Sequence, residues 1–120
     1  MSILPELVQG NHKDQIISFL GNGENVNQKD AEGRTGLYCA CEKNYAEIAT
    51  LLLQQPNVNL YLQQKDGWTA LHAACYHGFY PSVQILLQDP RTDLNVLDNV
   101  GWTPIMYACL NGKVTSDEIR

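Results

Sequence analysis

Asp66-Gly67-Trp68-Thr69-Ala70-Leu71-His72-Ala73-Ala74-Cys75 decides how this chain folds, because its pattern occurs three times. Gly33-Arg34-Thr35-Gly36-Leu37-Tyr38-Cys39-Ala40-Cys41 precedes it, and Gly101-Trp102-Thr103-Pro104-Ile105-Met106-Tyr107-Ala108-Cys109 follows. The glycines at 33, 67 and 101 recur every 34 residues, a spacing typical of stacked repeats. Leu52-Leu53-Gln54 returns as Leu86-Leu87-Gln88, Pro56 as Pro90 and Leu60 as Leu94. A single Gly-x-Thr means little. Three in phase, each followed by Ala-Cys at the same offset, mark a repeat.

Each part of the pattern has a physical use. Thr35, Thr69 and Thr103 can cap a helix through the side-chain oxygen. Pro104 suits a first helical turn, where its missing N–H costs nothing. Ala73, Ala74 and Cys75 are small enough to let a helix sit close to its neighbours. Gly67 permits the positive φ of a hairpin tip. Each unit therefore reads as turn, short helix, second helix and loop.

Taken in order, residues 1–32 form a degenerate first unit. Leu4, Leu7 and Val8 fall at helical spacing, and Gly10-Asn11 breaks that helix. Ile16, Ile17, Phe19 and Leu20 make one apolar face of the next, which Gly21-Asn22-Gly23 ends. His12, Lys13, Asp14 and Gln15 supply the polar outer side that a terminal unit needs. Residues 33–66 form the second unit, with helices at 35–43 and 45–55 and with Ile48, Leu51, Leu52 and Leu53 inward. Asn44 stands where Gly78 and Gly112 stand later, and asparagine tolerates the left-handed conformation. Residues 67–100 form the third unit, whose second helix starts near Pro81 and closes at Pro90. Residues 101–120 are half a unit, with a helix over 104–111 and a capping box at Thr115 and Glu118. That unfinished end is expected to leave Leu86, Ile105 and Met106 partly uncovered. We read residues 1–120 as one domain and as the N-terminal piece of a longer intracellular protein.

At these residues the chain resembles the ankyrin repeat family, whose units start near Gly-x-Thr-Pro-Leu-His-x-Ala. Residues 67–74 are the closest copy. Met106 and Tyr38 replace the histidine elsewhere, and Gly36 replaces the proline. The resemblance covers nearly the whole chain. It implies an all-α solenoid of stacked helix-turn-helix units with β-hairpin-like loops. It also implies that His72 and Thr69 bond each other and brace adjacent units. Partners of such arrays are gripped by the turn tips and the exposed end of the first helix. Carried over by position, those sites are Glu32, Arg34, Glu42 and Lys43, then Lys65, Asp66, Trp68, Tyr76 and His77, then Asn99, Val100, Trp102, Leu110 and Asn111. The series runs from charged to aromatic and apolar.

Composition narrows the function. The net charge of −5 disfavours nucleic acid and anionic membrane, which require clustered Lys and Arg. No run of eighteen apolar residues exists to cross a membrane. Four cysteines without a C-x-x-C pair are expected to be small buried hydrophobes, Cys41, Cys75 and Cys109 in equivalent places, and not zinc ligands or disulfides. Free thiols point to a reducing compartment, the cytoplasm or the nucleus. No triad or phosphate-binding glycine pattern is present. The expected function is non-catalytic protein binding, without cofactor, metal or small-molecule substrate. Trp68 and Trp102 follow their turn glycines, as Arg34 does, and aromatic and Arg residues are enriched in binding hot spots. Hairpin packing by the same rings is compatible with that role.

Two other readings stay open. The array could dock in cis on a catalytic domain such as a kinase. By the family resemblance, Asn95 could be a substrate of an asparaginyl hydroxylase, because Leu87, Asp93 and Asn95 match the modified loop. Asn27 is a weaker match, and Tyr61 cannot be one.

Overall fold

A computed structural model describes residues 3–111, with the side chain of Asn111 outside the described set. The glycine at 112, the capping box at Thr115 and Glu118 and the helix expected after it lie outside the described residues. The elements are α1 (Leu4–Gln9), α2 (Lys13–Gly21), α3 (Gly36–Glu42), α4 (Ala46–Leu53), α5 (Ala70–His77), α6 (Tyr80–Gln88) and α7 (Pro104–Asn111). Among the described residues there is no strand.

Two rows of helices result from two burial patterns. In α3 every residue from 36 to 41 is buried, and in α5 every residue from 70 to 75. Such all-round burial needs neighbours on several sides, and small side chains allow it. α1, α3, α5 and α7 therefore form an inner row in mutual contact. α4 and α6 each bury one stripe, Ile48, Ala49 and Leu52 or Ser82, Val83 and Leu86, against that row. Burying a leucine of this kind contributes about 1.5–3 kcal/mol.

The expected caps are present. Thr35, Thr69 and Thr103 accept the amides of Tyr38, His72 and Met106 at 3.1, 3.4 and 3.4 Å. Asn44 takes φ 59° where Gly78 takes 70°. The turns are hairpin-like without being strands: Asp30, Gln64 and Asp98 donate their amides to the carbonyls of Arg34, Trp68 and Trp102 at 3.0, 2.9 and 2.9 Å.

Several expectations are corrected. Ile17 is 48% exposed, because Ile16, Phe19 and Leu20 already complete an i, i+3, i+4 stripe and Ile17 lies about 100° off it. Leu51 and Leu53 do turn inward, half-buried against the core cluster at the edges of the α4 stripe. Leu86 is 2% exposed, a core leucine with Leu71, Ala74 and Cys75, and is not left uncovered at the open end. Cys109 is exposed, unlike Cys41 and Cys75. Cys41 and Cys75 each lie on a helix with α-helical neighbours on both sides in the inner row. α7 packs mainly on α5, and among the described residues no other helix makes an extensive contact with it.

Glycine is required at two positions for different reasons. Gly67 has φ 84°, and a Cβ there would stand 2.6 Å from Asn99 Oδ1 and 2.7 Å from the Asn99 nitrogen. The next tip stacks directly on it. Gly36 lacks a positive φ, but its Cβ would stand 2.9 Å from Leu4 Cγ. That close approach seats α1 on α3 and explains a glycine where the family pattern has proline.

Candidate partner-binding edge

The tips along one edge are built by side chains recurring every 34 residues. One oxygen of Asp30 accepts the amides of Glu32 and Arg34, both at 2.9 Å. Gln64 does the same for Asp66 and Trp68 at 2.6 and 2.9 Å, and Asp98 for Val100 and Trp102 at 3.1 and 2.8 Å. The tips then bond one another. The Lys65 amide donates to Glu32 O at 3.2 Å, and the Asn99 amide to Asp66 O at 3.0 Å. The Asn99 side chain adds a bond to Lys65 O at 2.9 Å. Positions 32, 66 and 100 are thereby held in a line.

Asp98 does more than close its own tip. Its second carboxylate oxygen accepts the Trp68 indole N–H at 3.1 Å and the Tyr107 hydroxyl. Burial pushes this carboxyl up, but the bonds from Tyr107, the Trp102 and Val100 amides and Trp68 outweigh it and hold it below the ordinary carboxylate value. Around it the rings touch. Trp68 lies 5.1 Å from both Tyr76 and Tyr107, and Trp102 lies 5.0 Å from Tyr107.

His72 ties the third helix pair to α7. The Thr69 amide can only donate, so His72 Nδ1, 3.1 Å away, is an acceptor. The proton is therefore on Nε2, which donates to Trp102 O at 3.0 Å. The brace expected between His72 and Thr69 is present, and it crosses to the next tip. Burial lowers the His72 pKa, more than the Trp102 carbonyl and Asp98 raise it. At the equivalent place Met106 Sδ takes the Thr103 amide at 3.4 Å, and Tyr38 is buried.

The residues named from sequence fall on this edge with unequal exposure. Lys43, Asp66, Tyr76, Asn99, Val100 and Leu110 are exposed, with Val100 at 73% and Leu110 at 66%. Glu32, Arg34, Glu42, Trp68, His77 and Trp102 are half-buried. Arg34 is held by Asp30 at 2.9 Å and Glu42 at 3.5 Å. Lys65, exposed, pairs with Glu32. Trp68 is both half-buried hairpin packing and part of the edge. Asn111 ends α7. Asn95 is exposed in a loop where its amide donates to Asp93 Oδ1 at 2.8 Å.

Sequence reading passed over the tip organisers Asp30, Gln64 and Asp98, and also Tyr107. The first three carry a signal, a side-chain oxygen at the same phase of every unit. Tyr107 carries none, because Cys39 and Ala73 hold its place earlier and no repeat predicts a ring there. Asn27, by resemblance a weaker match to the modified loop, has a structural role as well. Its side chain clamps the next loop, donating to Asn57 O and accepting from the Asn59 amide, both at 2.8 Å.

Among the described residues no group of three His, Cys, Asp or Glu side chains is placed to hold a metal ion, and no helix is long and apolar enough to cross a membrane. A family model for ankyrin repeats, three copies, matches residues 6–98. Arrays of this family are in general protein-binding modules and typically not enzymes. With the repeated tips, the paired helix rows and the Thr69–His72 brace, that match establishes the chain as a member of the ankyrin repeat family.

Proposed function

We propose that residues 1–120 form a single non-catalytic binding array that grips a protein partner along the turn-tip and first-helix edge. The observation that carries this reading is the exposure of Tyr76, Val100 and Leu110 on one edge beside the half-buried Trp68 and Trp102. Exposed apolar groups on a rigid frame are the elements of a hot spot. The tips are fixed to one another by backbone bonds, so little ordering cost remains on binding. The edge serves equally a separate chain or a catalytic domain of the same polypeptide.

The test is a displayed-peptide selection against the folded chain. Ligands selected in this way should lose about 2 kcal/mol with Trp102→Ala, Tyr76→Ala or Leu110→Ala. They should be indifferent to Gln84→Ala on the outer helix row. Ligands sensitive to Gln84 or Glu47 and indifferent to the edge would move the working surface to the outer row.

A further inference from the structure

The ring row has an anion behind it, and the described segments that carry the rings hold no Lys or Arg. Trp68 and Tyr107 both donate to the same buried carboxylate, Asp98. A ring that gives a hydrogen bond to an anion gains electron density, and its face becomes more negative. Residues 94–111 carry one charged side chain, Asp98, and residues 66–79 carry one besides histidine, Asp66. The nearest cations at the tips are engaged: Arg34 by Asp30 and Glu42, and Lys65 by Glu32. Asp66 is exposed at the rim. The ring planes tilt by 42° between Trp102 and Tyr107 and by 50° between Trp68 and Tyr76, so the row presents successive inclined faces and not one flat wall. Tyr76 at one end is 40% exposed. Trp102 at the other end is half-buried and, among the described rings, packs on Tyr107.

We propose that Tyr76, Trp68, Tyr107 and Trp102 form a cation–π platform that takes an arginine side chain from a basic partner segment. This rests on the edge reading above and names the chemistry of its partner. Arginine fits better than lysine, because a planar guanidinium stacks on a ring face while its N–H groups stay free to reach a carboxylate such as Asp66. The net charge of −5 draws a basic segment toward the chain, and the platform decides where it settles.

The probe is a short Gly/Ser peptide with spaced arginines, set against the same peptide with citrulline, the neutral isostere of the guanidinium. The chain has two tryptophans, so two indole N–H signals report the site by NMR. The arginine peptide should move both, and citrulline should bind at least about tenfold more weakly. Tyr76→Leu and Trp102→Leu keep apolar bulk but lose the ring, and each should weaken arginine binding by about tenfold. Thermal melts of both variants establish that they remain folded. Equal binding of the citrulline peptide, unchanged binding by a folded Leu variant, or shifts confined to Glu6, Asp14 and Glu24 at the far end would overturn the proposal. If selected ligands need the edge but are not basic, this proposal alone fails. If they ignore the edge variants, the reading beneath it fails as well.

Discussion

Asp98 is a carboxylate with four donors aimed at it, two amides on one oxygen and Trp68 and Tyr107 on the other. Hydrogen bonds to a charged group are worth about 1.5–3 kcal/mol each, and donors left buried without an acceptor cost more than the average bond returns. Asp98→Ala is therefore expected to lower unfolding free energy by about 2–4 kcal/mol in urea melts. Asp93→Ala, in an exposed loop with one amide to hold, should cost under about 1 kcal/mol. Similar losses for both would mean that the tip tolerates water in place of the carboxylate. The cysteines separate in the same residue-by-residue way. Burial pushes the thiols of Cys41 and Cys75 up to about 12 and that of Cys39 to about 11, whereas Cys109 is exposed. The thiolate is the reactive form. A maleimide should label Cys109 within the dead time of a manual experiment and the other three only after denaturant is added. Rapid native labelling of Cys75 would show that α5 opens readily.

The elements repeat, but their neighbours do not, and glycine exposes the difference. Gly67 and Gly101 share φ 84°. A Cβ at Gly67 would strike Asn99, whereas at Gly101 no atom of the described residues lies within 4 Å. Gly67→Ala and Gly101→Ala should both bear the left-handed penalty of roughly 1 kcal/mol. Only Gly67→Ala should bear in addition the displacement of the stacked tip, seen as a lower urea midpoint and altered Asn99 and Trp102 amide signals. Equal midpoints would mean that the tips slide apart at no cost. Periodicity makes caps, breaks and helix order legible in the sequence, since Thr69, Asn44 and Gly78 act through their own backbone. It cannot tell which helices flank a given position. Cys109 shares the phase of Cys41 and Cys75, so a position rule buries it, and only the neighbouring helices decide otherwise. Of the candidate edge, the named positions were legible from family resemblance. The anion that organises the rings was not, because Asp98 reaches 30 residues back to Trp68, outside any local pattern.

Across the whole molecule, stability of a stack is close to a sum of its pairs and the interfaces between them. The interface of α5 with α7 contains a titratable group at its centre, His72, which is fully buried and donates to Trp102 O. Its Nδ1 faces the Thr69 amide, so a second proton there would set two donors against each other. Its folded pKa lies below the ordinary value of 6.5. For such a base the stabilisation is fully present above 6.5 and is lost as pH falls from there toward the depressed folded value, because the opened state binds the extra proton first. Asp98 works in a different window. Its folded pKa lies below 3.8, so its contribution persists through pH 5 and is lost only in stronger acid. Between pH 7 and pH 5 the chain should therefore weaken first at α7. Hydrogen exchange measured as protection factors, which removes the intrinsic pH dependence of exchange, should show protection falling in α7 while α1 and α3 change little. His72→Gln lacks a group that titrates there, and it should abolish the pH dependence of α7 whatever it does to the absolute protection. A uniform fall across α1, α3 and α7 would place the acid sensitivity in global unfolding. An unchanged α7 in the parent chain would show that His72 takes its second proton as readily in the folded as in the opened state.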